Sequence, residues 1–152
     1  MPTVKLNDIK KLRSATGAGV MEAKKALVEA RGDQDRAKTL LNKWGLAKAA
    51  TREGRQAHEG LVYSYIHPGG RAGAMVKLAC ETDFVARSAE FVKLAKELSL
   101  QVASMNPKSV KELLAQAYIR DPKKKMGDLI KEVAAKVKEK VELKEAVWMR
   151  IS

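Results

Sequence analysis

Apolar and polar residues alternate along two stretches of the chain, Leu61 to His67 and Ala74 to Cys80, and Pro68-Gly69-Gly70-Arg71 lies between them. Period two on both sides of a proline-glycine turn predicts a β-hairpin, with Ala72 to Cys80 as its returning strand. The period then changes. Phe84, Phe91, Ala95, Leu98 and Val102 recur at helical spacing, which predicts a long helix from Asp83 to about Met105, closed by Asn106-Pro107. Asp83 reads as its N-cap. The corner Cys80-Glu81-Thr82-Asp83-Phe84-Val85-Ala86-Arg87 is therefore held between a strand and a helix. Phe84 has two readings at that corner, exposed near the helix start or tucked beneath it, and the pattern leaves both open.

Before the hairpin the pattern is helical. Asn7 reads as the cap of a short helix with Ile9 and Leu12 on one side, ended by Thr16-Gly17-Ala18-Gly19. Val20, Ala23, Leu27 and Ala30 form the stripe of a second helix, with Gly32 as its C-cap. A third opens at Asp33 or Gln34, buries Ala37, Leu40, Leu41 and Trp44, and stops at Gly45. From Leu46 to Glu59 the chain is rich in Ala, Lys and Arg without a wide apolar face, which predicts a partly helical linker with Arg52, Arg55 and His58 in solvent.

After the long helix, Val110, Leu113, Leu114 and Tyr118 predict a shorter one. Asp121-Pro122 then predicts the start of another, with Met126, Leu129, Ile130, Val133, Ala134 and Val137 on its face and Lys123-Lys124-Lys125 in its first turn. Val141, Leu143, Glu145, Val147, Met149 and Ile151 alternate with Glu142, Lys144, Ala146, Trp148 and Arg150 as a closing strand, which must join the hairpin because a lone strand does not persist. The fold class is α+β: a three-helix N-terminal module followed by a core of a three-stranded antiparallel sheet packed with helices. The expected boundaries are 1–50 for the helical module, 51–59 for the linker and 60–152 for the core.

Composition excludes several classes. Hydrophobic residues make up 45% of the 152 positions and charged residues 32%, a balance that argues against general disorder. The net charge of +12 favours an acidic partner, and it sits at the ends: residues 1–50 carry 11 basic against 5 acidic side chains, residues 51–100 carry 7 against 6, and residues 101–152 carry 12 against 7. A single cysteine rules out an intrachain disulfide and favours a cytoplasmic protein. No apolar run approaches the ~20 residues of a membrane-spanning helix, so no membrane partner is expected.

Candidate chemistry is sparse. Two histidines, His58 and His67, and one cysteine supply no recognised metal-ligand spacing, and no phosphate-binding loop is present, so neither metal nor cofactor is expected. Gly17-Ala18-Gly19 lacks the strand before it and the acid after it that a dinucleotide site needs. Cys80 reads as an inert core thiol. Met21, beside the glycine turn, reads either as core filler or as an adaptable contact surface. Tyr63 and Tyr65 could stack bases, but no ladder of basic residues accompanies them, and packing explains them as well.

Leu12-Arg13, Thr16-Gly17-Ala18-Gly19-Val20-Met21, Lys24-Lys25-Ala26-Leu27 and Leu40-Leu41 to Gly45 resemble the ubiquitin-associated-like N-terminal domain of the elongation factor Ts family. Glu59-Gly60, Tyr65-Ile66-His67, Gly73, Val76, Leu78, Cys80 to Arg87 and Phe91 resemble that family's core signature. Asp121-Pro122, Val133-Ala134 and Glu139 to Val141 resemble the end of its short, single-core form. The resemblance implies a guanine-nucleotide exchange factor, not an enzyme, whose partner is elongation factor Tu, bound preferentially without nucleotide. In that family the Asp-Phe pair meets the partner's nucleotide-binding domain, the ring wedges between partner side chains, and a helix that helps hold magnesium is displaced.

Carried onto this chain, the wedge is Phe84 and its neighbour is Asp83, flanked by Thr82 and Val85. Docking of the N-terminal module on the same GTPase domain implicates Leu12, Val20 and Met21. The short form implies a homodimer. Because the closing strand has no cysteine, such a dimer would be held by packing through the exposed side of the sheet, with Tyr63 or Tyr65, Met75 and Trp148 as candidate residues. The alternative reading from charge alone is a basic RNA- or ribosome-binding module; specific nucleic-acid binding is not expected, for want of a base-reading motif.

Overall fold

The computed structural model describes residues 3–52 and 54–151, without the side chains of residue 46 and residues 49–52. The expectation for Arg52 and position 53 of the linker therefore lie outside the described residues. The chain divides into two compact units, residues 1–51 and residues 52–152.

The first unit holds α1 (Leu6–Thr16), α2 (Val20–Glu29) and most of α3 (Gln34–Arg52). Its core is Ile9, Leu12, Ala23, Ala26, Leu27, Ala30 and Ala37, with Leu40, Leu41 and Trp44 packed at the margin. Asn7 is not the cap of α1; it lies in the first turn, and Lys5 is the capping position, its carbonyl accepting from the Asp8 and Ile9 N–H groups. Gly17, at φ 72°, ends α1 by returning its N–H to the Arg13 carbonyl. Val20 is exposed, so the α2 stripe begins at Ala23. Asp33 opens α3 by accepting from the Asp35 and Arg36 N–H groups at 2.9 and 3.0 Å. Gly45 does not stop that helix, which runs on to Arg52; a glycine inside a helix costs only about 1 kcal/mol.

In the second unit β1 (Glu59–Ile66) and β2 (Ala72–Cys80) form the expected hairpin, paired from Glu59↔Cys80 to Ile66↔Gly73. Two helices follow rather than one. The first, α4 (Asp83–Ala86), is a single turn; α5 (Ala89–Met105) starts afresh because the Ser88 side chain caps it, accepting from the Phe91 N–H at 3.3 Å. Asn106, left-handed at φ 47°, ends α5, and α6 (Val110–Ala115) follows. The expected helix start at Asp121-Pro122 is overturned. A small ribbon takes its place, β3 (Ala117–Tyr118) with β4 (Asp121–Lys125), and α7 (Met126–Val137) begins after the three lysines.

Tertiary contacts explain that ribbon. The buried Gln101 amide on α5 donates to the Gln116 side chain and the Ala117 carbonyl, and its oxygen accepts from the Ile119 N–H at 3.2 Å. A fully buried side chain amide that satisfies backbone groups this way fixes their path more firmly than a cap-then-proline preference does. Nearby, Glu97 accepts from the Tyr118 hydroxyl at 2.8 Å and pairs with Arg120 at 2.9 Å. Burial, reinforced by that carboxylate, pushes the Tyr118 hydroxyl up to about 12.

β5 (Glu142–Arg150) lies on the far side of β2, giving the order β1-β2-β5, all antiparallel. One side of the sheet is covered. Phe91, Leu94, Ala95, Leu98 and Val102 of α5, with Leu113, Met126, Ile130 and Ala134, pack on Ala74, Val76, Leu78, Cys80 and Leu143. Each large side chain sequestered there contributes about 1.5–3 kcal/mol.

A bulge alters the other side. Lys77 pairs with Glu145 and Leu78 with Leu143, so Lys144 is extra, and the alternation along β5 inverts there. Val141 and Leu143 point inward but so do Ala146 and Trp148, while Val147 and Met149 turn outward, against the strict alternation expected. Tyr63, Tyr65 and Trp148 thus lie on the covered side with Ala74 and Val76. The uncovered side carries the rows Gly60-Ala79-Glu142, Val62-Lys77-Glu145, Ser64-Met75-Val147 and Ile66-Gly73-Met149. Of the residues expected on it only Met75 is there; Val62, Ile66, Val147 and Met149 supply the rest, all exposed.

Candidate functional site

The corner after β2 is built from the core outward. Val85 and Ala86 are buried in the sheet-helix core and pin one side of α4. Thr82, not Asp83, is its N-cap: the Thr82 hydroxyl accepts from the Val85 N–H at 3.3 Å and its carbonyl from the Ala86 N–H at 3.2 Å. Asp83 is the first helical residue, and its carboxylate pairs with Arg87 one turn on. The Ser88 hydroxyl donates to the Val85 carbonyl at 2.7 Å and ends the turn. With its neighbours fixed in this way, Phe84 projects outward, 81% exposed.

Exposure of that degree resolves the two readings of Phe84. It is not part of the stripe that includes Phe91, which is fully buried. An aromatic ring standing free on a tight, buried-side-anchored corner does no work for the fold and loses little entropy if it docks.

Two acids hold the corner from below. Glu139, between α7 and β5, accepts from the Glu81 and Thr82 N–H groups through Oε1 at 3.1 and 3.0 Å, and from the Thr82 hydroxyl through Oε2 at 2.7 Å. Glu81 reciprocates, accepting from the Lys140 N–H at 2.7 Å and lying 3.5 Å from Arg55. Sequence reasoning gave neither acid a role at the site, and a separation of 58 residues leaves no local pattern that could have done so.

Cys80 sits at the end of β2, fully buried, its thiol donating to the Thr82 carbonyl at 3.1 Å. Burial, then the negative charge of Glu139, pushes the thiol up to about 11. Against an ordinary cysteine near 8.5, the thiolate fraction at pH 8 falls by about two orders of magnitude. A disulfide reagent at pH 8 should therefore label the native chain at least that much more slowly than the urea-unfolded chain. Comparable rates would show the thiol to be accessible and ionised.

The other residues expected to bind a partner belong to the first unit. Val20 and Met21 occupy the first turn of α2, directly after the glycine turn, and Met21 is 72% exposed. Thr16 shapes that turn, donating to the Leu12 carbonyl at 2.6 Å and accepting from the Ala18 N–H at 3.3 Å. Met21 lines a shallow depression with Lys24, Lys25, Val28 and Glu29. Leu12 is fully buried, so it supports this surface from within rather than lining it; Val85 stands in the same relation to Phe84. Trp44 is a partly buried anchor, with the Lys25 ammonium 5.1 Å from its ring centre.

Among the described residues no cluster of His, Cys, Asp or Glu could hold a metal ion, and no helix is long and apolar enough to cross a membrane. The corner offers shape and an exposed ring rather than reactive groups.

Comparison with known proteins follows the same residues. A family model described as Elongation factor TS matches residues 81–151, which take in the corner, Glu139 and the closing strand. The chain is similar to proteins named Elongation factor Ts from Thermoanaerobacter pseudethanolicus, 38% identical over an alignment of 184 residues that covers 91% of this chain and 90% of that one. It is similar also to those from Caldanaerobacter subterraneus, at 38% identity with 88% and 89% covered, and Petrotoga mobilis, at 54% identity with 69% and 53% covered.

Proposed function

This chain belongs to the elongation factor Ts family, and from that premise we propose that Phe84 is the side chain with which it acts on its GTPase. Its function is that of the family: it binds elongation factor Tu and promotes release of GDP during translation elongation, as an exchange factor without covalent chemistry of its own. The observation that carries the Phe84 reading is the contrast within one helical turn, a ring 81% exposed between neighbours that are capped and buried. Thr82 and Asp83 flank the ring and complete the contact surface, with Val85 behind it. Asp83 is held by Arg87 in the free chain, so docking exchanges that exposed ion pair, worth little in water, for partner groups.

Exchange follows from linkage. A factor that binds the nucleotide-free GTPase more tightly than the nucleotide-bound form lowers nucleotide affinity by the same factor by which nucleotide lowers its own. The preference for the empty state is therefore the mechanism itself. Val20 and Met21, exposed beside a rigid turn, supply a second contact from the N-terminal unit, over the buried Leu12. The cytoplasm, where translation runs, is the compartment this reading requires. Its test is stopped-flow release of a labelled GDP from elongation factor Tu, with and without the chain; no acceleration across a wide concentration range would overturn it.

The uncovered face of the sheet fits a second copy of this chain. Val62, Ile66, Met75, Val147 and Met149 form an apolar surface on all three strands, with the Ile66 side chain laid over Gly73 and an ion pair of 3.2 Å between Lys77 and Glu145 at one end. Two such faces related by a two-fold axis bury like against like and can exchange the Lys77 and Glu145 partners. Val147→Thr keeps the volume and β-branching but places a hydroxyl on the apolar face beside Met75, twice per dimer. Sedimentation should show self-association weakened about tenfold. A wild-type chain that is monomeric at every concentration would remove the dimer.

A further inference from the structure

We infer that Glu139 is a positioning residue for nucleotide exchange, setting the direction in which Phe84 is presented. The inference rests on the exchange reading above. Phe84 is too exposed to be held by contacts of its own, so its direction is only as well defined as that of α4. A four-residue helix does not hold itself, because one turn of hydrogen bonds does not offset the cost of nucleation. Burial of Val85 and Ala86 fixes how deep that turn sits. Its start, and with it the path of the backbone that carries Phe84, is set at the cap.

Glu139 controls that cap. Glu81 and Thr82 lie between β2 and α4, where neither the sheet ladder nor the helix supplies partners for their N–H groups, and Oε1 of Glu139 accepts both. Oε2 accepts the hydrogen bond donated by the Thr82 hydroxyl, which turns the hydroxyl lone pairs toward the Val85 N–H that caps the helix. A continuous path thus runs from the Glu139 carboxylate through the Thr82 hydroxyl to the backbone of α4. Glu81 closes the clasp in the other direction through the Lys140 N–H. The acid precedes β5, which pairs with β2, so both ends of the clasp stand on one sheet. Groups held by ionised acceptors are held more strongly than by neutral ones, and a prearranged ring loses less freedom on docking.

The experiment measures GDP release from elongation factor Tu as a function of factor concentration, for wild type, E139A, E139Q, F84A and the E139A/F84A double variant, with a thermal melt of each. E139A is expected to lower the saturating release rate about tenfold, an effect in the rate rather than only in the half-saturating concentration. E139Q should stay within about threefold of wild type, because its amide oxygen still accepts both N–H groups and its NH2 can donate to the Thr82 hydroxyl. The double variant should be no slower than F84A, since there is no ring left to direct. Should E139A fold poorly, Glu139→Asp reads the same path, its shorter side chain drawing the carboxylate back from the Glu81 and Thr82 groups, and is expected to be slow while folded.

E139A at the wild-type rate would overturn the inference and leave the exchange reading intact. So would a double variant slowed by the product of the two single effects, or E139Q as slow as E139A with losses that follow the melting temperatures. A wild-type chain that does not accelerate release would take down the exchange reading itself, and this inference with it.

Discussion

Phe84→Ala should slow factor-promoted GDP release by about 30-fold or more at saturating concentration while leaving the melting temperature where it was. The two halves of that expectation have separate causes. Stability is insensitive because the ring is 81% exposed and contributes nothing to the core formed by Phe91, Leu98 and Leu78. Function is sensitive because an aromatic anchor entering a partner's pocket is typically worth 2 kcal/mol or more, and 1.4 kcal/mol is a factor of ten. Phe84→Leu, which keeps part of the apolar volume, should fall between. Equal rates for wild type and F84A would separate the wedge from the family assignment and remove only the former.

The hairpin, the returning strand and the apolar faces of α2, α5 and α7 were legible in the sequence because each is a periodic signal within one segment. Leu27, Val76, Leu98 and Ile130 are buried where the spacing places them. What the spacing could not show is set by groups far apart in the chain. Phe84 and Phe91 share a helical period, yet the Thr82 and Ser88 caps start two separate helices, and only the second carries its phenylalanine inward. The β3-β4 ribbon replaces an expected helix start because Gln101, on another element, binds its backbone.

The outer face of the sheet shows the same limit. Its alternation along β1 and β2 was readable, but the bulge at Lys144 depends on pairing with β2 and exchanges Ala146 and Trp148 for Val147 and Met149. At the corner, the Cys80 to Arg87 signature marked the segment in which Thr82 to Val85 lie. Nothing marked Glu139, because a carboxylate that accepts three hydrogen bonds across 58 residues leaves no trace in local spacing.

Gly60→Ala should damage the fold about as much as truncating a buried core side chain, costing about 4 kcal/mol in a urea titration, although the residue itself is exposed. Gly60 pairs with Ala79 at φ 148°, where an added Cβ would stand 2.1 Å from the Leu78 carbonyl oxygen and 2.8 Å from the Ala79 Cα. These are backbone atoms of the central strand, so no rotamer change relieves the overlap. Relief requires β1 to separate from β2 at its first residues, or β2 to shift. Gly69→Ala is the control. It too has a positive φ, 95°, but its Cβ would meet nothing within 4 Å, so only the backbone term of about 1 kcal/mol remains. A difference between the two near zero would show that β1 opens without cost. Because Glu59, Gly60 and Cys80 form the hairpin end from which Glu81 leaves the sheet, a folded fraction of G60A should also present the corner poorly and release GDP more slowly than its folded population accounts for.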